Sequence, residues 1–242
     1  MNISRSSLKY SRVVLKLSGE SLTKVNNFSN IDSNALFFLS KEIKQIIDLN
    51  VELSIVIGAG NLFRGSQLQK IGINRVAADH IGMLSTIING LVIHNSLSKM
   101  NIKTSLMSAI PVNGICEIYD WNKAINLLSN KTVVIFSAGI GNPFFTTDSA
   151  ACLRAIEIKA DIVLKGTKVD GVYTSDPKKN INSVLYSKLS YQEVLEKELK
   201  IMDLSAFTLA RDYNIPIRVF NINNSGALKR IVQGFNEGTL IN

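Results

Sequence analysis

Four short segments of this 242-residue chain gather glycines, hydroxyls and cations in patterns that suit anions. The first reads Lys16-Leu17-Ser18-Gly19-Glu20. A lysine inside an apolar strand is costly unless its ammonium reaches a charge, and the Ser-Gly after it lets backbone N–H groups approach a phosphate. A lysine snorkelling from a strand end explains this segment equally well. The second, Gly58-Ala59-Gly60-Asn61-Leu62-Phe63-Arg64-Gly65, sets glycines straight after a β-branched run and adds an arginine fork suited to phosphate. The third, Gly139-Ile140-Gly141-Asn142-Pro143-Phe144-Phe145-Thr146-Thr147-Asp148, leads from a strand into a helix N-terminus, where N–H groups and the helix dipole favour anions. Thr146 and Thr147 bring hydroxyls, and Phe144 and Phe145 can wall a pocket. Asp148 would repel a bare phosphate, which leaves it two roles: a helix cap, or a holder of lysine or Mg²⁺. The fourth runs from Lys165-Gly166-Thr167-Lys168 through Asp170-Gly171 and Tyr173 to Asp176-Pro177. Its Asp-Gly and Asp-Pro steps are ordinary turn chemistry, but Lys165 ends a buried strand and points to the same anionic centre.

These segments must be carried by an alternation of strands and helices, which predicts an α/β fold with helices sandwiching a largely parallel sheet. Val13 to Leu17, Val51 to Ile57, Thr104 to Ala109, Thr132 to Ser137, Asp161 to Lys165 and Ile217 to Phe220 read as strands. Asp32 or Ser33 caps a helix bearing Leu36, Leu39, Ile43, Ile46 and Ile47 on one face. A long helix is expected from about Arg75 to Lys99, with Leu84, Ile87, Ile88 and Leu91 as its buried stripe. Further helices are expected around Trp121 to Leu128, Ser149 to Lys159, Asp203 to Tyr213 and Ser225 to Gly234. Ser190 with Glu193 forms a capping box, and Val172 to Asp176 reads as a strand or hairpin arm. In open sheets of this kind ligands collect beyond the carboxyl ends of the strands. No linker or repeat divides the chain, so 1–242 reads as one unit.

Composition narrows the function classes. Hydrophobic residues make up 46% and charged residues 19%, which suits a folded globular protein. No apolar run approaches the ~18 residues of a membrane span, and Met1 to Tyr10 holds no block of signal-peptide length. Cys116 and Cys152 stand apart from each other and from any metal-ligand spacing, which suggests a reducing, cytoplasmic compartment. The net charge of +8 suits polyanions, but its lysines are scattered as on an ordinary basic surface. Lys178-Lys179 and Lys229-Arg230 are isolated pairs. There is no G-x-x-x-x-G-K-[ST], G-x-S-x-G or H-E-x-x-H, and no helix-turn-helix or RNA signature. His80 and His94 fall on the long helix, where a satisfied surface histidine is the plainer reading.

At the four anion-suited segments the sequence resembles the amino-acid kinase fold family, specifically its bacterial UMP kinase branch. The resemblance spans roughly Arg12 to Ile241 and is most specific at Gly139 to Leu153 (GIGNPFFTTDSAACL), Ser108 to Gly114 (SAIPVNG) and Met202 to Asp212 (MDLSAFTLARD). It implies a three-layer α/β/α sandwich, with an acceptor (UMP) lobe over about 1–165 and an ATP lobe over 166–242. It implies ATP contacts at Lys16, Leu17, Ser18, Gly19, Gly60, Arg64, Thr167, Tyr173 and Asp176. UMP contacts are implied at Ala59, Asp79, Ile140, Gly141, Asn142, Pro143, Phe144, Phe145, Thr146 and Thr147. No protein residue is assigned as a metal ligand; Mg²⁺ is expected with ATP. The resemblance further implies a homohexamer, inhibition by UTP and activation by GTP. Two departures stand out: Ala59 replaces a usual glycine, and Lys24 to Ser29 lacks the glycines common there, so GTP is expected to be at most a weak activator.

The chemistry expected of such a site needs no general base. A phosphate monoester, with a second pKa of ~6, is already a nucleophile at neutral pH. The obstacle is bringing two polyanions together, so catalysis is positioning plus cationic stabilisation. Lys16 and Lys165, with Mg²⁺, are the candidates for that stabilisation and Asp148 for their organiser. The alternatives at this point are a sibling kinase acting on a carboxylate or carbamate, and a nucleic-acid-binding regulator.

Overall fold

Runs of β-branched and aliphatic residues that are apolar on both faces require cover on both sides, and the strands here receive it. The computed structural model describes residues 8–23, 30–177, 179–199 and 201–242. Its strands are β1 (Arg12–Leu17), β2 (Glu52–Ile57), β3 (Thr104–Ser108), β4 (Glu117–Ile118), β5 (Val133–Ser137), β6 (Ile162–Thr167), β7 (Lys188–Leu189), β8 (Ile217–Asn221) and β9 (Thr239–Ile241). Among the described residues they form one sheet in the order β4-β3-β5-β2-β1-β6-β8-β9-β7. Every pairing is parallel except β8 with β9.

The helices are α1 (Ser33–Ile47), α2 (Gly65–Lys70), α3 (Arg75–Ser98), α4 (Trp121–Ser129), α5 (Thr147–Glu157), α6 (Tyr191–Glu196), α7 (Leu204–Asp212) and α8 (Ala227–Val232). Strand alternation sends Val13, Leu15 and Leu17 to one side, where they pack with Ile43 of α1, Leu97 of α3 and Ile231 of α8. Val14, Val56 and Val163 face the other side, against Leu128 of α4, Ala151 of α5 and Ala206 of α7. The result is the expected three-layer sandwich. β1 is central: the chain leaves it for β2 on one side and, later, returns through β6 on the other. That makes the carboxyl end of β1 the topological switch point.

Local signals set several boundaries. Asp32 caps α1 by accepting from the Ala35 N–H at 2.8 Å, and the Ser190–Glu193 capping box opens α6. The expected arm from Val172 to Asp176 reduces to one bridge between Tyr173 and Leu185. The short elements β4, β7, β9 and α2 were not foreseen. Lys24 to Ser29 and Lys178 lie outside the described residues, as does most of Met1 to Tyr10.

The expected stripe on α3 is wrong in three of its four positions. Ile87 is buried, but Leu84, Ile88 and Leu91 are 51%, 47% and 36% exposed. The helix is apolar nearly all round, and by length and composition it could cross a bilayer, contrary to the sequence reading. Its inward face is chosen instead by size and hydrogen bonding: Met83, Thr86, Asn89, Gly90 and Ile93 turn toward the sheet. A Cβ at Gly90 would sit 2.7 Å from Leu106 Cδ1 and from Ser137 Oγ, so a larger residue there would have to push those side chains of β3 and β5 aside.

Candidate active site

Lys16 of β1 and Lys165 of β6 are direct partners in the parallel register, so both side chains leave the same face of the sheet. They meet one carboxylate. Lys16 Nζ is 2.7 Å from Asp148 Oδ1 and Lys165 Nζ is 2.8 Å from Asp148 Oδ2, with all three side chains largely buried. Lys165 Nζ also donates to the Ile201 carbonyl at 2.5 Å. Burial pulls the Asp148 pKa upward, but Lys16 and then Lys165 outweigh it and leave the carboxyl below its ordinary value. Burial is also the largest influence on Lys165 and lowers its pKa, Asp148 opposing it and Lys16 adding to it. Cys152 lies nearby, its thiol pushed up to about 12 by burial and then by Asp148 and Asp203, so at neutral pH it stays a protonated spectator.

Asp148 is not the cap of α5. Thr146 holds that position, its hydroxyl oxygen accepting from the Asp148 and Ser149 N–H groups. The Thr146 hydroxyl in turn donates to Asp203 Oδ2, and Ser149 Oγ donates to Asp203 Oδ1 at 2.8 Å. Asp203 also caps α7 through the Ala206 N–H. One carboxylate therefore joins the N-terminal ends of α5 and α7, a function the sequence reading missed. Its signal was present as an N-cap residue ahead of Leu204-Ser205-Ala206.

The loop before α5 is tightly wound. Gly139 and Gly141 have φ of 59° and 85°, while Ala138 and Phe144 have φ of 60° and 72°. For non-glycine residues this backbone costs energy that surrounding contacts must offset. The Ala138 N–H donates to the buried Thr86 hydroxyl at 2.7 Å. The Phe144 N–H donates to Asp79 Oδ2 at 2.7 Å, and Arg75 pairs with the same carboxylate at 2.8 Å. Ala59 is not among the residues of positive φ, so a side chain there is tolerated.

A cavity of about 200 Å³ lies beside this loop, lined in part by Ala59, Gly60, Asp79, Asn142, Phe145 and Thr147. Ile140 and Thr146 also border it, whereas Gly141, Pro143 and Phe144 do not. On the sheet side, a Cβ at Gly19 would come within 2.2 Å of Asn61 Oδ1 and 2.9 Å of the Gly58 carbonyl. The loops after β1 and β2 thus touch, and Gly19 is the residue that lets them. Leu17 is fully buried, and its carbonyl accepts from the Gly58 N–H at 2.9 Å. Ser18 caps the short turn Gly19–Leu22. Arg64 ion-pairs with Glu20 on the exposed rim. Thr167 ends β6 with its hydroxyl donating to the Val169 carbonyl at 2.6 Å, and Tyr173 donates to Asp170 Oδ2 at 3.3 Å. Asp176 stands further along that loop, its carbonyl accepting from the Asn180 N–H.

Two facing lysines clamped on a carboxylate at a switch point, beside glycine loops and a helix N-terminus, suit a polyanion. Comparison with known proteins agrees: the description of the amino acid kinase family matches residues 11–221. The chain belongs to the amino acid kinase family. Within it, the chain is 63% identical to the uridylate kinase of Buchnera aphidicola subsp. Acyrthosiphon pisum, over 96% of each chain. It is 60% identical to the uridylate kinase of Photorhabdus laumondii, again over 96% of each. The crystal structure of a UMP kinase from Bacillus anthracis superimposes with a TM-score of 0.93 at 46% identity, covering 96% of each chain. That of a UMP kinase from Ureaplasma parvum gives 0.91 at 38% identity, covering 97% of this chain and all of the other. A kinase of this family and an α/β fold are what these likenesses share.

Proposed function

We propose that this chain catalyses reversible transfer of the γ-phosphate of ATP to UMP, giving ADP and UDP, as a step of pyrimidine nucleotide biosynthesis. The observation that carries the proposal is the in-register pair Lys16 and Lys165 sharing Asp148, next to a cavity bordered by the Ile140 to Thr147 loop. The high identity to uridylate kinases supports UMP as acceptor.

The geometry accounts for such a reaction without a general base. UMP lies in the cavity, its sugar toward Asp79 and its phosphate on the Ala59 backbone, in the lobe ending near residue 165. ATP lies over Lys16, Leu17, Ser18, Gly19 and Gly60, with Arg64 toward its phosphates and Thr167, Tyr173 and Asp176 toward its nucleoside end. The phosphate monoester attacks in line, and the two ammonium groups meet the charge that spreads over the transferring oxygens. Asp148 keeps both lysines in fixed positions before the polyphosphate arrives, and the α5 N-terminus adds a fixed positive dipole. Mg²⁺ would neutralise phosphate charge; the Asp148 carboxylate is a fitting hard donor, but lysines hold both its oxygens, so the ion's ligands come chiefly from ATP.

The exposed Leu84, Ile88 and Leu91 on α3 support an assembly of copies, proposed to be a homohexamer. The free thiols Cys116 and Cys152 support the cytoplasm as its compartment. UTP would inhibit by taking the uridine place, and GTP would activate weakly. Incubation with Mg²⁺, ATP and UMP followed by ³¹P NMR tests the reaction: UDP and ADP should appear in equal amounts. ADP without UDP would sink it.

A further inference from the structure

Asn89 plays no part in the chemistry above, yet it is fully buried in the apolar body of α3. Its Nδ2 donates to the Gly58 carbonyl at 2.8 Å and to Asn61 Oδ1 at 2.7 Å. Its Oδ1 accepts from Asn61 Nδ2 at 3.0 Å, so the two carboxamides close a ring of two hydrogen bonds. The other Asn61 N–H donates to the Asn30 carbonyl at 2.9 Å. A carbonyl can only accept, so Gly58 fixes which way the Asn89 amide faces, and Asn89 then fixes Asn61. Ala59 and Gly60, which lie between the clasped residues, line the cavity. Asn61 Oδ1 is also the atom packed against Gly19. The clasp therefore sits beneath the loops after both β1 and β2.

Resting on the kinase reading, we infer that Asn89 is a positioning residue whose amide clasp with Asn61 sets the spacing between the β1 and β2 phosphate loops. A buried amide is retained at a desolvation cost, whereas an apolar residue of similar volume would fill the same space with none. What leucine cannot do is hold the Gly58 carbonyl and the Asn61 side chain in one orientation. In-line transfer is sensitive to ångström displacements of this kind, which cost about 10²-fold in rate.

The test is steady-state kinetics of the full chain with ATP and UMP, comparing wild type with N89L, N61A, the double variant and N89D. UDP formation by the wild type decides the kinase reading by itself; its absence overturns both. Given an active wild type, N89L and N61A should each lose about 10² in kcat, with KM for either nucleotide changed far less. The double variant should be no worse than the poorer single one, because both break the same clasp. In N89D the neutral acid can donate one hydrogen bond and the anion none, so its kcat relative to wild type should rise as pH falls. Near-normal kcat in N61A, losses that multiply in the double variant, or a flat N89D ratio would each overturn the inference. If N89L does not fold, N61A, at a half-buried position, and the N89D ratio decide it on the same outcomes.

Discussion

Lys16 and Lys165 stand on neighbouring strands at positions that face each other, and neither would be worth burying without Asp148. Removing one cation aimed at the transferring phosphoryl group should lower kcat by on the order of 10². Lys16→Ala measured at saturating ATP and UMP, with circular dichroism to confirm the fold, checks this; near-normal kcat would leave only a snorkelling lysine. Asp148→Asn should be as damaging, and not through the helix cap, since Thr146 holds that place. The substitution leaves two largely buried cations without their partner, so thermal stability should drop too. It also carries a pH signature. Lys165 already has a lowered pKa, and Asp148 is the largest influence raising it. Without that carboxylate the ammonium loses its proton at still lower pH, so the alkaline limb of kcat/KM should move toward neutrality. A limb that stays put would detach Lys165 from the chemistry. Each of these residues was visible in the sequence by type. That one carboxylate serves both lysines was not, because it depends on strand register and on the cap falling at Thr146, two residues earlier.

At the scale of elements, strand and helix positions were legible because apolar periodicity and caps act locally. Faces were less so. An amphipathic helix such as α1 shows its buried side, with Leu39, Ile43 and Ile46 inward as expected. α3 is apolar on both sides, so periodicity could not separate the side on the sheet from the side left exposed. Thr86, Asn89 and Gly90 were the better guide: Thr86 and Asn89 hydrogen-bond to the Ala138 N–H and the Gly58 carbonyl, and Gly90 lies close against Leu106 and Ser137. The exposed side yields an expectation of its own. Replacing Ile88 by glutamate should leave the folded chain's melting temperature within a few degrees of wild type, since the side chain is half exposed, while dissociating the assembly in sedimentation velocity. An unchanged sedimentation coefficient would place the interface elsewhere.

At the scale of the whole molecule, the described residues build on one continuous sheet whose central strand carries Lys16 and whose neighbours carry the glycine loops beside the cavity. The fold was legible from strand–helix alternation, and the loop proposed here to take the acceptor stood out as a motif dense in glycine, threonine and phenylalanine. The contacts that shape the loop, from Thr86, Asp79 and Asp203, come from distant parts of the chain and become apparent only on folding. Control by other nucleotides belongs to this scale. UTP inhibition needs only the uridine place and should persist. GTP stimulation needs coupling between sites, usually ~1–3 kcal/mol, and initial rates at subsaturating UMP should rise less than about fivefold, which corresponds to about 1 kcal/mol.

Acceptor choice tests the central claim most directly. It is measured as kcat/KM in a coupled ADP-release assay with UMP, CMP, AMP, aspartate and carbamate offered separately. The site described here should favour UMP by at least about tenfold over CMP and AMP, some 1.4 kcal/mol of discrimination at the transition state, and leave aspartate and carbamate untouched. Equal turnover of AMP, or phosphorylation of a carboxylate in preference to UMP, would contradict it.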